Sequence, residues 1–540
     1  MIRHVYIALV LASLVVSSAV AVTTDGGLVW VDRPAADAVG RLAASGVTVV
    51  RNAGWFLLAV ADATQRQELN RMGVPYRVID WTTRDKSYFT VARVRPDRAD
   101  VLRREARVVF LEGGVAVVEA PAGSADRLAQ SGFDIQRVFM RPVTPPRATT
   151  AGQIGRSPGQ ANPLVVDMVE AVDGPTIDGY VQRLQDFVTR WAWHSNDSCQ
   201  AAIDWITAEF TAFGLDSVEY QDFSPYYKGN VVAVLPGTTH PEQVVVVGGH
   251  YDSTSGDAIT AAPGADDNAS GTAGVLECAR ILSQYRFEKT IVFIAFGAEE
   301  QGLDGSEYYA AQASAGGEDI VAMVNLDMIG YLAPGDDLDV DVVSNAASAW
   351  LSDRAMAVAA DYVPETPAVD GSLPSGRWSD HMSFWDHGYP AILLWEDTGD
   401  SSPYIHTAAD TIGLSYNHPG LAEQTTKIVV ALLAELAAPI GGDIGPPASM
   451  SLEQNAPNPF NPRTMIRFTI PPPGERASLR VYDVAGHEVI ALVDGEVVSG
   501  TKTVWWNGTG AGGRPVASGV YFYRLTAGGQ TLTKKLVLVR

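Results

Sequence analysis

The sequence predicts an α/β protein: a mostly parallel mixed sheet flanked by helices, preceded by an α+β repeat region and followed by a β-sandwich. Three observations carry this expectation. Between about 166 and 438, β-branched apolar runs alternate with helical patterns, as in sheets buried on both faces. Upstream, "VVRNAGWFLLAVAD" (49–62) and "VVFLEGGVAVVEAP" (108–121) line up at an offset of 59 residues. Downstream, from 450 to 540, short alternating strands such as "LRVYDV" and "GVYFYRLTA" are separated by Asn-Gly and Ala-Gly-Gly turns.

The chain has 540 residues, enough for two to four domains with large cores. A hydrophobic share of 46% and a charged share of 19% describe a folded protein. The formal net charge of −23 argues against nucleic acid and anionic membrane as partners. Arg3 and His4, the apolar run Val5–Val16 and the small-residue site Ala19-Val20-Ala21 predict a signal peptide over 1–21, and hence export. No later segment is long and apolar enough to span a membrane. Two cysteines, Cys199 and Cys278, exclude a disulfide-dense scaffold and a thiolate metal site. One bridge and two buried free thiols both remain open.

Within 22–140 the repeat offset also pairs Gly54 with Gly113, Leu69 with Leu128 and Gly73 with Gly132. Each copy reads strand, helix, strand, strand, helix, strand, which predicts two ferredoxin-like α+β units. Two readings stay open for them, a folding module and a prodomain that covers the active site until it is removed. Residues 141–165, rich in Pro, Gly, Thr and Ser, read as a linker. The α/β domain follows over 166–438. Residues 439–449 form a second linker, and 450–540 the β-sandwich.

In the α/β domain, four apolar strands run into similar chemistry. "VVVVGG" leads to His250 and Asp252, "TIVFIAFGA" to Glu299 and Glu300, "VAMVNL" to Asp327, and "AILLWE" through a loop to His406. "PGADDNASG" places Asp266 and Asp267 in a glycine-rich turn opening a helix. Ligands of such sheets sit outside the carboxyl ends of the strands. Six carboxylates crowded at one edge raise each other's pKa and oppose folding unless a cation joins them. Two imidazoles with carboxylates and no thiolate suit zinc, with cobalt or manganese as substitutes, and suit calcium poorly.

The ordered set "GGHYDS … PGADDNASG … GAEEQGLDGS … NLDMIG … YIHTAADT" resembles the zinc aminopeptidases of the M28 metallopeptidase family over the whole of 166–438. The resemblance implies a zinc exopeptidase fold and a secreted enzyme that removes N-terminal residues from peptides or proteins. It implies two Zn2+ ions: one held by His250 and Asp327, the other by Glu300 and His406, with Asp267 bridging both. Glu299 would be the general base acting on a metal-bridging hydroxide. Asp252 would orient His250 by accepting its other ring N–H. A cis peptide maps onto Asp267–Asn268. In "WSDHMSFWDHGYP", Ser379, Asp380 and His381 match the family's substrate-side loop, lining the pocket or buttressing it. Just before it, Ser375-Gly376-Arg377-Trp378 stands where some secreted relatives carry a cysteine pair and a tyrosine. Trp378, Trp385 and Trp395 read as packing. The alternatives are a carboxypeptidase or glutaminyl-peptide cyclotransferase on the same fold, and a catalytically idle binding or adhesion protein.

"LEQNAPNPFNPRTMIRFTIP", "WNGTGAGGRPVASGVYFYRL" and the closing "KKLVLVR" resemble the Ig-like C-terminal domains of secreted bacterial proteins. Many of these are type IX secretion sorting tails, which implies export machinery as a partner. A stabilising or carbohydrate-binding module is the alternative.

Overall fold

The computed structural model describes residues 26–146, 161–438 and 450–539, apart from 33, 35, 36, 216, 372–377, 398, 400, 453, 454, 456, 457, 459, 461–463 and 513. The expected signal peptide, most of the first linker and all of the second lie outside the described residues, as do Ser375, Gly376 and Arg377. Two compact units divide the chain, one ending at Pro439 and the other built from Ile440 onward with Gln284–Arg286.

The first unit opens with two βαββαβ copies. One contains β1 (Gly27–Asp32), α1 (Ala38–Ala44), β2 (Thr48–Asn52), β3 (Phe56–Ala61), α2 (Ala63–Arg71) and β4 (Tyr76–Asp80). The other contains β5 (Tyr88–Ala92), α3 (Ala99–Glu105), β6 (Arg107–Glu112), β7 (Val115–Glu119), α4 (Ala125–Gln130) and β8 (Asp134–Val138). Their sheet orders, β2-β3-β1-β4 and β6-β7-β5-β8, are the same topology twice. The paired glycines have a backbone reason. Gly54 and Gly113 both take positive φ ahead of the third strand of their copy, and Gly73 and Gly132 do so after its second helix, a region closed to most side chains.

The α/β domain begins with α5 (Pro163–Glu170), α6 (Gly174–Gln185) and α7 (Asp197–Ala212), then β9 (Ser217–Gln221), β10 (Asn230–Leu235), β11 (His240–His250) and α8 (Ala269–Leu282). It continues with β12 (Lys289–Phe296), α9 (Asp304–Gly316), β13 (Asp319–Leu326), β14 (Val340–Ser344), α10 (Ala349–Tyr362), β15 (Ala368–Asp370), α11 (His381–Asp386), β16 (Ala391–Trp395) and α12 (Pro419–Ala437). Helix α5 starts inside the stretch that composition marks as linker. Asn162 accepts the Leu164 N–H and Pro163 fills the first turn, a local start signal inside a Pro/Gly-rich run.

Eight strands form one sheet in the order β15-β14-β16-β13-β11-β12-β10-β9. The central four, β16, β13, β11 and β12, are parallel, and antiparallel strands lie on either side. Val245, Val246 and Val247 on β11 are fully buried, each contributing about 1.5–3 kcal/mol. The glycines that end β11 serve close packing. A Cβ on Gly249 would meet the Leu326 carbonyl oxygen and Gly271 of α8, so helix and strand touch backbone to backbone there.

The second unit is antiparallel: β17 (Ser451–Leu452), β18 (Thr464–Tyr482), β19 (Glu488–Trp506), β20 (Gly519–Ala527) and β21 (Gln530–Leu538). Strand β18 pairs with β17, β19 and β20 along its length around a core that includes Phe468, Leu479, Trp506 and Tyr523. Cys199 and Cys278 are buried free thiols, which closes the question of a bridge. No helix among the described residues is long and apolar enough to cross a membrane.

Candidate metal centre

Because β16, β13, β11 and β12 are neighbours and parallel, their carboxyl ends open at one place. Strand β11 ends on His250, and Asp327 directly follows β13. Glu299 and Glu300 follow β12 after a turn, and His406 returns from the loop after β16. Asp267 comes from the turn that opens α8. Ala298, Met328 and His406 adopt left-handed φ of 59°, 49° and 56°. Each is a metal-competent residue or stands beside one, so local strain clusters where side chains must be aimed. The peptide between Asp267 and Asn268 is cis.

The two oxygens of Asp267 face different histidines. Oδ1 is 3.3 Å from His250 Nε2, and Oδ2 is 3.2 Å from His406 Nε2. His250 Nε2 also lies 3.4 Å from Asp327 Oδ1, and His406 Nε2 lies 3.0 Å from Glu300 Oε2. Donors about 2.0–2.1 Å from a tetrahedral zinc stand roughly 3.3 Å apart, so both corners have the spacing of a zinc coordination edge. Glu299 Oε2 stands slightly farther off, 4.0 Å from His250 Nε2. Glu300 Oε1 and Asp327 Oδ1 are buried without a hydrogen-bond partner among the described residues. Anionic oxygens left so are costly, and a cation satisfies them. The residues fit zinc.

Comparison with known proteins agrees. The model of peptidase family M28 matches residues 230–433, and that of a secretion system C-terminal sorting domain matches 456–539. Leucine aminopeptidase 1 of Ajellomyces capsulatus is 30% identical over 281 residues, 47% of this chain and 71% of that protein. The chain belongs to peptidase family M28. A probable aminopeptidase of Saccharomyces cerevisiae is 28% identical over 292 residues, 51% of this chain and 76% of that protein. A probable zinc metalloprotease of Leptosphaeria maculans is 36% identical over 184 residues, 30% of this chain and 43% of its own length. The chain thus spans less than half of that relative. The Legionella pneumophila LapA aminopeptidase shares the fold, with a TM-score of 0.51 at 18% identity over 66% of this chain and 99% of that one.

In this M28 zinc metallopeptidase, the crowded acids and imidazoles shift one another's proton affinities. Burial, joined by Glu300, Asp380 and Asp327 against the pull of His250, raises the Glu299 carboxyl well above its ordinary range. Burial pushes Glu300 up to about 7, His406 drawing it down and Asp267 adding to the rise. Burial would raise Asp267 too, but the imidazoles of His250 and His406 on its oxygens hold it below the usual carboxylate range. Both imidazoles are shifted well upward, the surrounding carboxylates outweighing burial.

The Asp252 carboxylate stands 3.6 Å from His250 Nδ1, beside the ring it is expected to orient, and Nδ1 also lies 3.1 Å from Asp252's own carbonyl oxygen. Its two oxygens accept the amides of Glu299 (3.2 Å) and Glu300 (3.3 Å), fixing that turn.

Ser379, Asp380 and His381 are fully buried, and the Asp380 carboxyl is close enough to help raise that of Glu299. Ser379 accepts a hydrogen bond from Asn325 (2.8 Å), and His381 stacks edge-on against Trp385. Burial lowers the His381 pKa to about 3, so the ring is neutral. The cleft wall is Met328, Trp378, Trp395 and Ile405, facing Asp267, Glu299, Glu300, Asp327 and His406. Two of the tryptophans that read as packing therefore line it. Arg93, Asp134 and Ile135 of the second N-terminal copy complete the rim. Nothing in their local sequence signals this, since the contact exists only after docking.

Proposed function

We propose that the protein is an exported dizinc aminopeptidase, with His250 and Asp327 on one zinc, Glu300 and His406 on the other, and Asp267 bridging. The observation that carries this reading is the divided attention of Asp267, whose two oxygens each face a different histidine. Zinc at this place polarises the scissile carbonyl and acidifies water. Glu299 takes a proton from the attacking water at its carboxylate and delivers it to the leaving amine nitrogen. The apolar wall of Met328, Trp378, Trp395 and Ile405 favours a large apolar first residue, while the buried acidic end suits a free α-amino group.

The N-terminal copies are read as a prodomain. The burial of four of the candidate ligands in the intact chain, from 1% exposure at His250 to 5% at Asp267, supports this, His406 being half-buried. The expected signal peptide and the match to a sorting domain over 456–539 support export through a type IX pathway.

Protein freed of its N-terminal region, offered a panel of aminoacyl and N-acylated amides with and without chelator, tests the activity. Release from free-amine substrates alone, lost with chelator, is the expected result. Turnover of blocked amides would favour a carboxypeptidase or cyclotransferase instead.

A further inference from the structure

Asp410 holds no place among the ligands, yet it touches the turn that carries the bridging one three times. The amide of Ala265 donates to the Asp410 carbonyl oxygen (3.1 Å). The amides of Asp266 and Asp267 donate to its carboxylate, to Oδ1 at 2.9 Å and Oδ2 at 3.0 Å. Three successive N–H groups thus converge on one residue that is 2% exposed. Asp410 is also tied to the His406 turn, because its amide donates to Thr407 and that of Thr407 to Tyr404.

We infer that Asp410 is a positioning residue for the zinc cage, locking the backbone of Asp267 to the loop that delivers His406. The inference rests on the ligand reading above and adds a residue to it. The same device recurs across the site, where the Asp252 carboxylate straddles the amides of Glu299 and Glu300. Each metal-bearing turn that ends in paired ligands or acids is therefore held by one buried carboxylate spanning two adjacent amides. Such charge-assisted bonds are short and directional in a dry interior.

A purely architectural role would not call for a carboxyl group here. Asp410 adds a carboxylate to an interior that already holds Asp266, Asp267 and Glu396, all buried. Like charges in that setting oppose the fold unless a cation is present. A carboxylate is instead the group that aims two consecutive amides at once, which fixes the direction of the Asp267 side chain.

Asp410→Asn keeps the shape but turns one acceptor into a donor facing an amide. Zinc affinity of the purified full chain, measured by competition with a chromophoric chelator, is expected to weaken about 10–100-fold. Activity should return towards wild type at saturating zinc. A merely structural residue would lower the thermal midpoint and leave the folded protein's zinc affinity unchanged, and that result would overturn the inference. Should Asp410→Asn not fold, Asp410→Ser, smaller and with one acceptor left, is expected to weaken zinc in the same way, and unchanged affinity there is equally fatal. Wild-type protein that takes up no zinc would overturn the ligand reading itself, and the positioning role with it.

Discussion

At Glu299 the interior sets up a carboxyl group with unusual proton affinity. Burial and the carboxylates of Glu300, Asp380 and Asp327 all favour the neutral acid, opposed by His250. Glu299→Gln removes the proton acceptor while keeping the shape. Turnover is expected to fall about 10²–10⁴-fold, with zinc per chain unchanged by elemental analysis. Loss of zinc in that variant would make Glu299 a ligand instead. The imidazoles give a second prediction. In the metal-free protein the surrounding carboxylates raise both imidazoles well above their ordinary range, and Glu300 is pushed to about 7. Zinc requires the deprotonated forms, so uptake should release protons, and affinity should climb as pH rises through about 7. Calorimetric titration in buffers of different ionisation enthalpy measures the release, and pH-independent affinity would contradict it. The candidate ligands were legible in the sequence because each sits within a few residues of a strand end or in a glycine-rich turn. Asp410, Trp378 and Trp395 were not, since their roles depend on which segments fold against them.

Between elements, the loop after β11 is fastened to α6 by a buried cation. Arg190 is fully enclosed, and its guanidinium donates to the carbonyl oxygens of Tyr251 (2.6 Å), Leu184 (3.0 Å), Pro263 (2.6 Å) and Gly264 (2.8 Å). Burial lowers its pKa to about 10, which leaves it charged at neutral pH. Arg190→Met fills the space but orphans four carbonyls around the segment leading to Asp267. We expect a loss of more than about 3 kcal/mol, read as an earlier unfolding transition of the peptidase domain in denaturant. An unchanged transition would mean that water replaces the guanidinium at no cost. The pattern of β-branched runs and helices exposed the central sheet, because each strand is buried on both faces. It did not expose α5, which opens at the end of a Pro/Gly-rich stretch, or β15, which is only three residues long.

For the peptidase unit as a whole, the N-terminal copies and the α/β domain share one core. Trp30, Phe56, Tyr88 and Val117 belong to the same buried cluster as Phe296, Trp378 and Trp395. Arg51 pairs with Asp386 at 3.0 Å, and the Asn52 amide donates to the same carboxylate at 2.7 Å. Arg137 reaches Asp304, and Asp126 accepts from Trp191 and Tyr227. A docked surface of this kind does not separate when the chain is merely cut. With a specific protease site placed between 147 and 160, the nicked protein should elute as one species and stay poorly active. Digestion of the still-docked N-terminal region should then raise kcat/KM by an order of magnitude or more. Full activity of the uncut chain would remove the prodomain reading.

By itself the sequence determined the alternating strands and helices of the α/β domain, the duplicated N-terminal pattern, and the acids and imidazoles that belong to the M28 motifs. These are local properties, written in periodicity, glycine placement and short spacings. Only the tertiary structure decided that Asp252 holds the amides of Glu299 and Glu300, that Ser379, Asp380 and His381 are fully buried, and that Arg93 and Asp134 form the rim of the cleft. The physical reason is the range of the forces involved. Backbone preference and hydrophobic period act over a few residues, whereas the hydrogen bonds and packing that aim these groups join distant positions, 48 residues apart for Asp252 and Glu300 and 143 for Asp410 and Asp267.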